Sequence, residues 1–471
     1  MATKNFIAAI ELGSSKIAGI AGCKQADGSV NVLAYAAEES RSFIRKGLIF
    51  NIDKAKLALN AVIRNLEKQL GCSIAKVYVG IGGQSLRTVP NEIHRDVIGE
   101  EKISQTLIDG LCDDNRGYPI EDMDILDSEP QEYDVDGRLV ADPVGVTGTH
   151  VTAHFLNVVA RSSMRRNLVQ AFNDAEVEYA DIFIVSRALA NSVLTEAELR
   201  AGCSLVDIGA ETTTIAVYKN NLLRYLAVLP LGSAAITRDL TTLGIEESEA
   251  ESIKLNHGNA FISVEEDEAE APDLTLLDGR KVKQMGVDEI VESRANEILA
   301  NVWNQIQLSG YKDKLLQGVV FTGGGSNLAG IEDAFRKISR IAKIRKTGAP
   351  RYALTGISFT PAVDGMGYAL LGMVCMGNEN CYKPAEPKIQ PEEPKELFDD
   401  DLEFKENQKE AARKEREERE KREEEHRRKS DGTKQGSNEP GGNKLKEWWK
   451  EKSGAFVNSI FSDDDMSNDF N

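Results

Sequence analysis

The chain has 471 residues, 41% of them hydrophobic, and a formal net charge of −19, so it carries apolar material for two or more domains with cores of their own. So acidic a balance disfavours a general role on nucleic acid, whose phosphates need clustered Lys and Arg. Cys23, Cys72, Cys112, Cys203, Cys375 and Cys381 form no CxxC pair, and the opening MATKNFIAAIELG is no charged-then-apolar leader; with no run of ~20 apolar residues, the expectation is a cytoplasmic protein with reduced thiols, neither secreted nor membrane-spanning.

In chain order, FIAAIEL and KIAGIAGC are predicted strands around the tight turn GSS, within the phrase IELGSSKIAG at residues 10–19. DKAKLALNAVIRNLEKQL at 53–70 is a predicted helix, and KVYVGIGG at 76–83 a further strand. Residues 84–160 mix a polar helix, SQTLIDGLCDDN, with alternating strands such as HVTAHFLNVV, and read as a compact α+β insertion. His150 and His154 in that strand share a face, but without a third ligand nearby they read as satisfied strand histidines. At 206–217 the opening phrase recurs as VDIGAETTTIAV, with SLVDIG and TTIAVYKN as strands around AETT. The body, to about residue 382, is therefore an internal duplication of a β-rich α/β unit.

A turn rich in Gly, Ser and Thr between two strands exposes consecutive backbone N–H groups and hydroxyls, forming a concave anion site. Two such turns facing each other would grip a polyphosphate from both sides, and Glu11 and Asp207, which end the strands entering them, would hold a Mg²⁺ through water. A third element, GVVFTGGGSNLAGI at 318–331, is an apolar strand entering three glycines and then a helix. Such glycines let backbone approach a flat ligand, with a helix N-terminus behind them to favour phosphate. It is not a P-loop, because no GK[ST] follows, nor a GxGxxG, because Leu328 takes the sixth position.

IELGSSKIAG, VDIGAETTTIAV and FTGGGSNLAG, in that order and at these separations, resemble the two phosphate motifs and the adenosine motif of the actin, heat-shock chaperone and sugar-kinase superfamily. The resemblance implies an α/β, actin-like ATPase fold with duplicated domains around an ATP cleft and a small α+β inserted subdomain. Within that superfamily, PQEYDVDG (130–137), PVGVTG (143–148), SVLTEAELRAG (192–202) and ESIKLNHGNA (251–260) resemble the FtsA family of bacterial cell-division proteins. Residues 5–382 are covered, and the tail matches in kind only. The implied organisation is a first actin-like domain at 1–83 and 161–202 interrupted by the insertion at 84–160, and a second with its core at 203–232 and 318–360 and a small subdomain at 233–317. The chain then returns to the first domain at 361–382, followed by a charged linker at 383–443, an amphipathic helix at 444–461 and an acidic end at 462–471.

Carried over residue by residue, the resemblance places Gly13, Ser14, Ser15 and Lys16 in the first phosphate turn and Asp207, Gly209, Thr212 and Thr213 in the second, with Asp207 toward Mg²⁺. Gly323, Gly324 and Gly325 would cover the adenosine. Glu251 and Lys254 share a helical face and would reach the ribose or adenine together, the alternative being a surface ion pair. No catalytic residue is assigned. Where actin-like ATPases usually carry Asp in the first motif, this chain has Glu11, whose extra methylene moves the carboxylate by ~1.5 Å. Firm ATP binding with slow or negligible turnover is the expectation.

After residue 383 proline and charge prevent core formation, and FKENQKEAARKEREEREKREEEHRRKS at 404–430 interleaves 11 Lys or Arg with 9 Glu without an apolar seam. That run reads as a solvated single helix or extended coil acting as a spacer, and the acidic run EEDEAEAPD at 265–273 reads as a solvated loop. KLKEWWKEKSGAFVNSIF then puts Leu445, Trp448, Trp449, Phe456 and Ile460 near one helical face with Lys450 and other lysines beside it, which suits a helix in the interface of an anionic membrane. A partner-docking peptide is the alternative, favoured by Gly454 and the end SDDDMSNDFN.

The reading is an ATP-binding scaffold at the cytoplasmic face of the cell membrane, at the division site. The family resemblance further implies homopolymerisation, binding of the C-terminal peptide of FtsZ around residues 233–317, and contact of the inserted subdomain with a neighbouring protomer and later division proteins. A sugar-kinase-type phosphotransferase is the alternative, but it has no use for a Lys and Trp helix on a long tether. A chaperone would need a folded substrate domain where residues 383–443 are too polar, and the rod-shape homologue MreB is disfavoured by the early insertion and the C-terminal place of the amphipathic helix.

Overall fold

The apolar runs around the two repeated turns become central strands of two sheets in a computed structural model that describes residues 5–97, 102–262, 273–360, 365–384 and 399–430. In the first sheet β1 (Ile7–Leu12), β2 (Lys16–Lys24) and β3 (Val30–Glu39) run antiparallel in succession. A small hairpin, β4 (Ile44–Arg45) and β5 (Leu48–Ile49), leads to helix α1 (Ile52–Leu70). Asn51 caps α1 by accepting from the Lys54 N–H, Ala55, Leu59, Val62 and Leu66 give it an apolar stripe, and Gly71 at φ 67° ends it. Close packing on the sheet needs Gly19, where an added Cβ would lie 2.7 Å from Val62 Cγ1. β6 (Lys76–Ile81) then pairs parallel with β1.

The insertion follows as β7 (Arg87–Asp96), α2 (Gln105–Arg116), β8 (Met123–Val135), β9 (Arg138–Val140) and β10 (His150–Arg161). It has a core of its own, including Ile103, Leu111, Tyr133, Val151 and Phe155. The chain returns through α3 (Ser162–Asp174) and β11 (Glu178–Ile184), which pairs parallel with β6, and then α4 (Val185–Val193) and α5 (Glu196–Ala201).

The second half repeats the plan. β12 (Cys203–Ile208), β13 (Thr213–Lys219) and β14 (Leu222–Leu229) run antiparallel. Helices α6 (Ala234–Leu240) and α7 (Glu247–His257), strands β15 (Leu274–Thr275) and β16 (Lys281–Val282), and the start of α8 (Gln284–Leu308) form a small lobe around Ile236, Leu240, Ile253, Val287 and Val291. β17 (Val319–Thr322) pairs parallel with β12, and after α9 (Ile331–Ser339), β18 (Ile344–Lys346) pairs parallel with β17. β19 (Leu354–Gly356) then joins β3, and α10 (Gly367–Met376) packs back on the first sheet and on α4. That crossing is tight, since a Cβ at Gly372 would lie 1.9 Å from the Ala188 carbonyl oxygen.

The two sheets are ordered β11-β6-β1-β2-β3-β19 and β18-β17-β12-β13-β14-β7-β10-β8-β9. The first five strands of each correspond, which is the duplicated α/β architecture expected from the repeated phrase. One apolar core runs from the first sheet through α4 and α10 to Leu205 and Ala216 on one face of the second; the opposite face buries Val206, Ile208 and Ile215 against α8 and α9. The insertion interrupts the first half in sequence, yet its sheet continues the second through the pairing of Ala227 with Arg87. Arg187 on α4 ties the insertion to the first half as well, meeting Asp127 at 2.6 Å and Glu129 at 3.0 Å on β8.

His150 meets Asp96 at 2.8 Å and His154 meets Glu92 at 3.1 Å, each across the β7 and β10 pair. The six cysteines are free thiols. Among the described residues no cluster of three or more His, Cys, Asp or Glu side chains is placed to hold a metal, and no helix is long and apolar enough to cross a membrane.

Met1–Ala385 forms one compact unit and Glu386–Asn471 another. In the latter, α11 (Asp399–Ser430) is a single helix of 32 residues, about 48 Å long. Its described side chains are solvent-exposed and include ion pairs of Lys414 with Glu410 at 3.0 Å and Arg413 with Glu417 at 3.3 Å. Leu445, Trp448, Trp449, Lys450, Phe456 and Ile460 lie outside the described residues, as does the acidic run at 265–272.

Arg187→Ala leaves two half-buried carboxylates facing each other without their cation. It is expected to destabilise the protein by about 1–3 kcal/mol and to expose β8 and β9 to faster hydrogen exchange. Mass-spectrometric exchange unchanged over residues 123–140 would contradict the assigned clamp.

Candidate functional site

β1 and β12 carry their acids to equivalent places. Glu11 lies opposite Ala18 and Asp207 opposite Thr214, each two residues before the glycine that opens a four-residue turn. The Gly13 N–H donates to the Lys16 carbonyl at 3.0 Å, and the Gly209 N–H to the Thr212 carbonyl at 2.8 Å. In both turns an added Cβ would stand 3.0 Å from that same carbonyl oxygen, so the glycines hold the turns tight.

Both turns open on one cavity of about 320 Å³. Of the residues singled out from sequence, Glu11, Gly13, Ser14, Ser15, Lys16, Asp207, Gly209, Thr212, Glu251, Lys254, Gly323, Gly324 and Gly325 all line it. Thr213 does not: its buried hydroxyl donates to the Leu231 carbonyl at 2.8 Å. Thr214, one residue on, takes the place at the cavity wall. The two-residue period of a strand puts Thr212 and Thr214 on the same side and Thr213 on the other, a signal the sequence reading did not use. Arg41, Ser233, Leu255 and Met366 are further wall residues that it missed.

The three glycines divide their work. Gly323 has φ 83°, and a Cβ there would lie 2.2 Å from Asp207 Oδ1; one on Gly325 would lie 2.4 Å from Ile208 Cγ2. These two let β17 close against the end of β12. Only Gly324 faces open space, with nothing within 4 Å of its would-be Cβ. A short 3₁₀ turn, Gly324–Asn327, follows instead of a helix, and α9 begins at Ile331.

Lys254 is buried in the lobe wall, where its Nζ donates to Glu251 at 2.7 Å and to Thr237 Oγ1 at 3.0 Å. Burial pushes its ammonium below the usual lysine range. Burial pushes the Glu251 carboxyl the other way, but hydrogen bonds from Lys254 and Thr237 outweigh it and hold Glu251 low. The pair is thus a buried, ionised hydrogen-bond donor and acceptor set at the cavity edge rather than a surface ion pair.

Asp207 differs, because burial alone acts on it, pushing its carboxyl from 3.8 up to about 6. A carboxylate held beside such a turn at this cost is suited to a cation, which would offset the desolvation. Glu11 lines the same cavity, whose donor set therefore includes two carboxylates of the kind that hold a divalent ion through oxygen.

Residues 204–363 match the family described as Cell division protein FtsA, and residues 83–159 match the SHS2 domain inserted in FTSA. The FtsA protein of Porphyromonas gingivalis is 32% identical over 340 residues, covering 70% of each chain. The chain belongs to the FtsA family. The Escherichia coli K12 FtsA protein is 28% identical over 367 residues, 74% of this chain and 87% of that one. Among solved structures, the PilM-PilN type IV pilus biogenesis complex contains a chain with the same fold, at TM-score 0.54 and 12% identity, over 80% of this chain and 98% of that one. This is an actin-like cell-division protein of the FtsA family, and nothing found favours the sugar-kinase alternative. The matched SHS2 segment spans β7 to β10, the elements with their own core.

Asp207→Asn, which keeps the shape and removes the charge, is expected to stabilise the nucleotide-free protein at pH 8 by about 1–3 kcal/mol. The folded carboxyl titrates at about 6, above its ordinary 3.8, so the cost of the charge is absent below the lower value and complete above the higher. Urea unfolding should therefore show a stabilised variant at about pH 8 and equal midpoints at about pH 4. A variant no more stable than wild type at the higher pH would contradict the buried charge.

Proposed function

We propose that this FtsA-family protein binds ATP with Mg²⁺ in the cleft and acts as a scaffold that polymerises at the cytoplasmic face of the membrane, holding FtsZ there and receiving later division proteins. The observation that carries the nucleotide reading is the convergence of both glycine-hinged turns, Asp207, and the Glu251 and Lys254 pair on one cavity. Backbone N–H groups of residues 14–16 and of Ala210 and Thr212 would hold the phosphates, and Gly324 would admit the flat base against bare backbone. Glu251 accepts and Lys254 donates at the lobe side, which suits ribose hydroxyls. A divalent ion, when bound, would neutralise phosphate charge, with Asp207 and Glu11 orienting its water shell. Glu11, longer than Asp by one methylene, supports tight binding with slow or negligible turnover.

The scaffold part is supported by family membership and by the sequence of residues 444–461. The lobe at 233–317 is the proposed seat of the FtsZ C-terminal peptide, and the insertion the proposed contact to neighbouring protomers and later partners. Co-sedimentation with anionic liposomes and Mg-ATP tests the proposal, comparing the full chain with one ending at Asn443. The full chain alone should pellet, carry an added FtsZ C-terminal peptide with it, and be weakened but not released by about 0.5 M salt. If both forms stay in the supernatant, the membrane role fails and the tail is at most a protein-docking segment.

A further inference from the structure

Residues 40–49 run between β3 and α1 along the mouth of the cleft. Phe43, Ile44 and Ile49 anchor them in the core of the first half, and Asn167 Nδ2 donates to the Ile49 carbonyl at 2.9 Å. Three hydrogen bonds fasten the segment to the first phosphate turn. Ser40 Oγ donates to the Gly13 carbonyl at 2.5 Å, the Ser40 N–H to the Ser15 carbonyl at 3.1 Å, and the Gly47 N–H to Ser14 Oγ at 2.9 Å.

Two further contacts cross to the second half. The Lys46 N–H donates to Glu211 Oε2 at 2.6 Å, and Glu211 belongs to the second phosphate turn. The Arg41 guanidinium, on the cavity wall, meets the Glu247 carboxylate at the start of α7 at 3.3 Å. Lys46 and Gly47 have φ 51° and 77°, the two-residue hairpin turn with both centres left-handed, which leaves adjacent N–H groups free for partners outside the hairpin. Gly47 is needed there, since a Cβ would lie 2.5 Å from the Gly82 carbonyl oxygen. One hairpin tip therefore bonds both phosphate turns at once.

We infer that residues 40–49 are a strap that holds the cleft closed over its ligand, and that Glu211 and Glu247 on the far side set how long a bound nucleotide stays. This deepens the nucleotide reading above and rests on it. Neither Glu211 nor Glu247 lines the cavity, so they act on residence through the strap and not by touching the ligand. Charge alone gives the opposite expectation: removing a carboxylate beside an anion-binding cleft should tighten an anionic ligand, whereas loosening the strap speeds its escape. The direction of the effect separates the two.

Displacement of a methylanthraniloyl-ATP probe with Mg²⁺ from the full chain by excess unlabelled ATP measures the release rate in a stopped-flow instrument. Glu211→Ala is expected to release the probe about threefold to tenfold faster, and Glu247→Ala about twofold to fivefold faster. Glu211→Gln keeps an acceptor for the Lys46 N–H and should stay within about twofold of wild type. Glu247→Ala, on an exposed position of α7, keeps the test decisive if Glu211→Ala does not fold. Unchanged or slower release from the alanine variants, with normal probe binding by wild type, overturns the strap alone. Failure of wild type to bind the probe overturns the nucleotide reading and the strap with it.

Discussion

Two glycine-opened turns can face one cavity only if the ends of β1 and β12 point into the same space, and most of the body is organised around that requirement. Each turn is kept narrow by a glycine whose N–H reaches across it, at Gly13 and at Gly209. The halves are held at the required separation by α4 and α10, which cross where Gly372 lacks a side chain. Gly323 yields its side-chain position to the Asp207 carboxylate. The result is a cleft in which glycines at 13, 209 and 323–325 bring backbone to the wall beside the charged side chains of Glu11, Lys16, Arg41, Asp207, Glu251 and Lys254.

That arrangement costs stability at the site. Asp207 is held in a poorly solvated place with its carboxyl pushed up to about 6, while Lys254 is buried with Glu251, Thr237 and the Ser233 carbonyl accepting from it. Both features are unfavourable for an empty protein and would be useful under the proposed binding of an anion with its metal. The charged residues that hold the insertion are by contrast paired directly, one Arg187 guanidinium between the carboxylates of Asp127 and Glu129.

Much of this was legible in the sequence because turn chemistry is local. IELGSSKIAG and VDIGAETTTIAV have few foldings open to them, so the duplicated strands, the turns and their acids could be placed from residue types alone. The rest depended on register or on distant partners. Thr213 and Thr214 differ only in which side of β13 they occupy, and the register that decides it comes from the pairing with β12. Two of the three glycines at 323–325 serve packing against Asp207 and Ile208, residues more than a hundred positions earlier. Arg41 and Glu247 stand 206 positions apart, and nothing near either one announces the other. Likewise no local feature of β7 says which half its edge will pair with.

The pairing of β7 with β14 has a mechanical meaning. The insertion leaves the first half after Gly83 and returns to it after Arg161, but its sheet is hydrogen-bonded to the second half. A relative rotation of the halves cannot leave such a body at rest; it must be taken up as shear at the Ala227 and Arg87 pair or as torsion beside Gly83, whose φ of 151° is open to glycine. A change of angle at the cavity, which Gly83 lines, would therefore be passed to the insertion, whose outermost strand is β9.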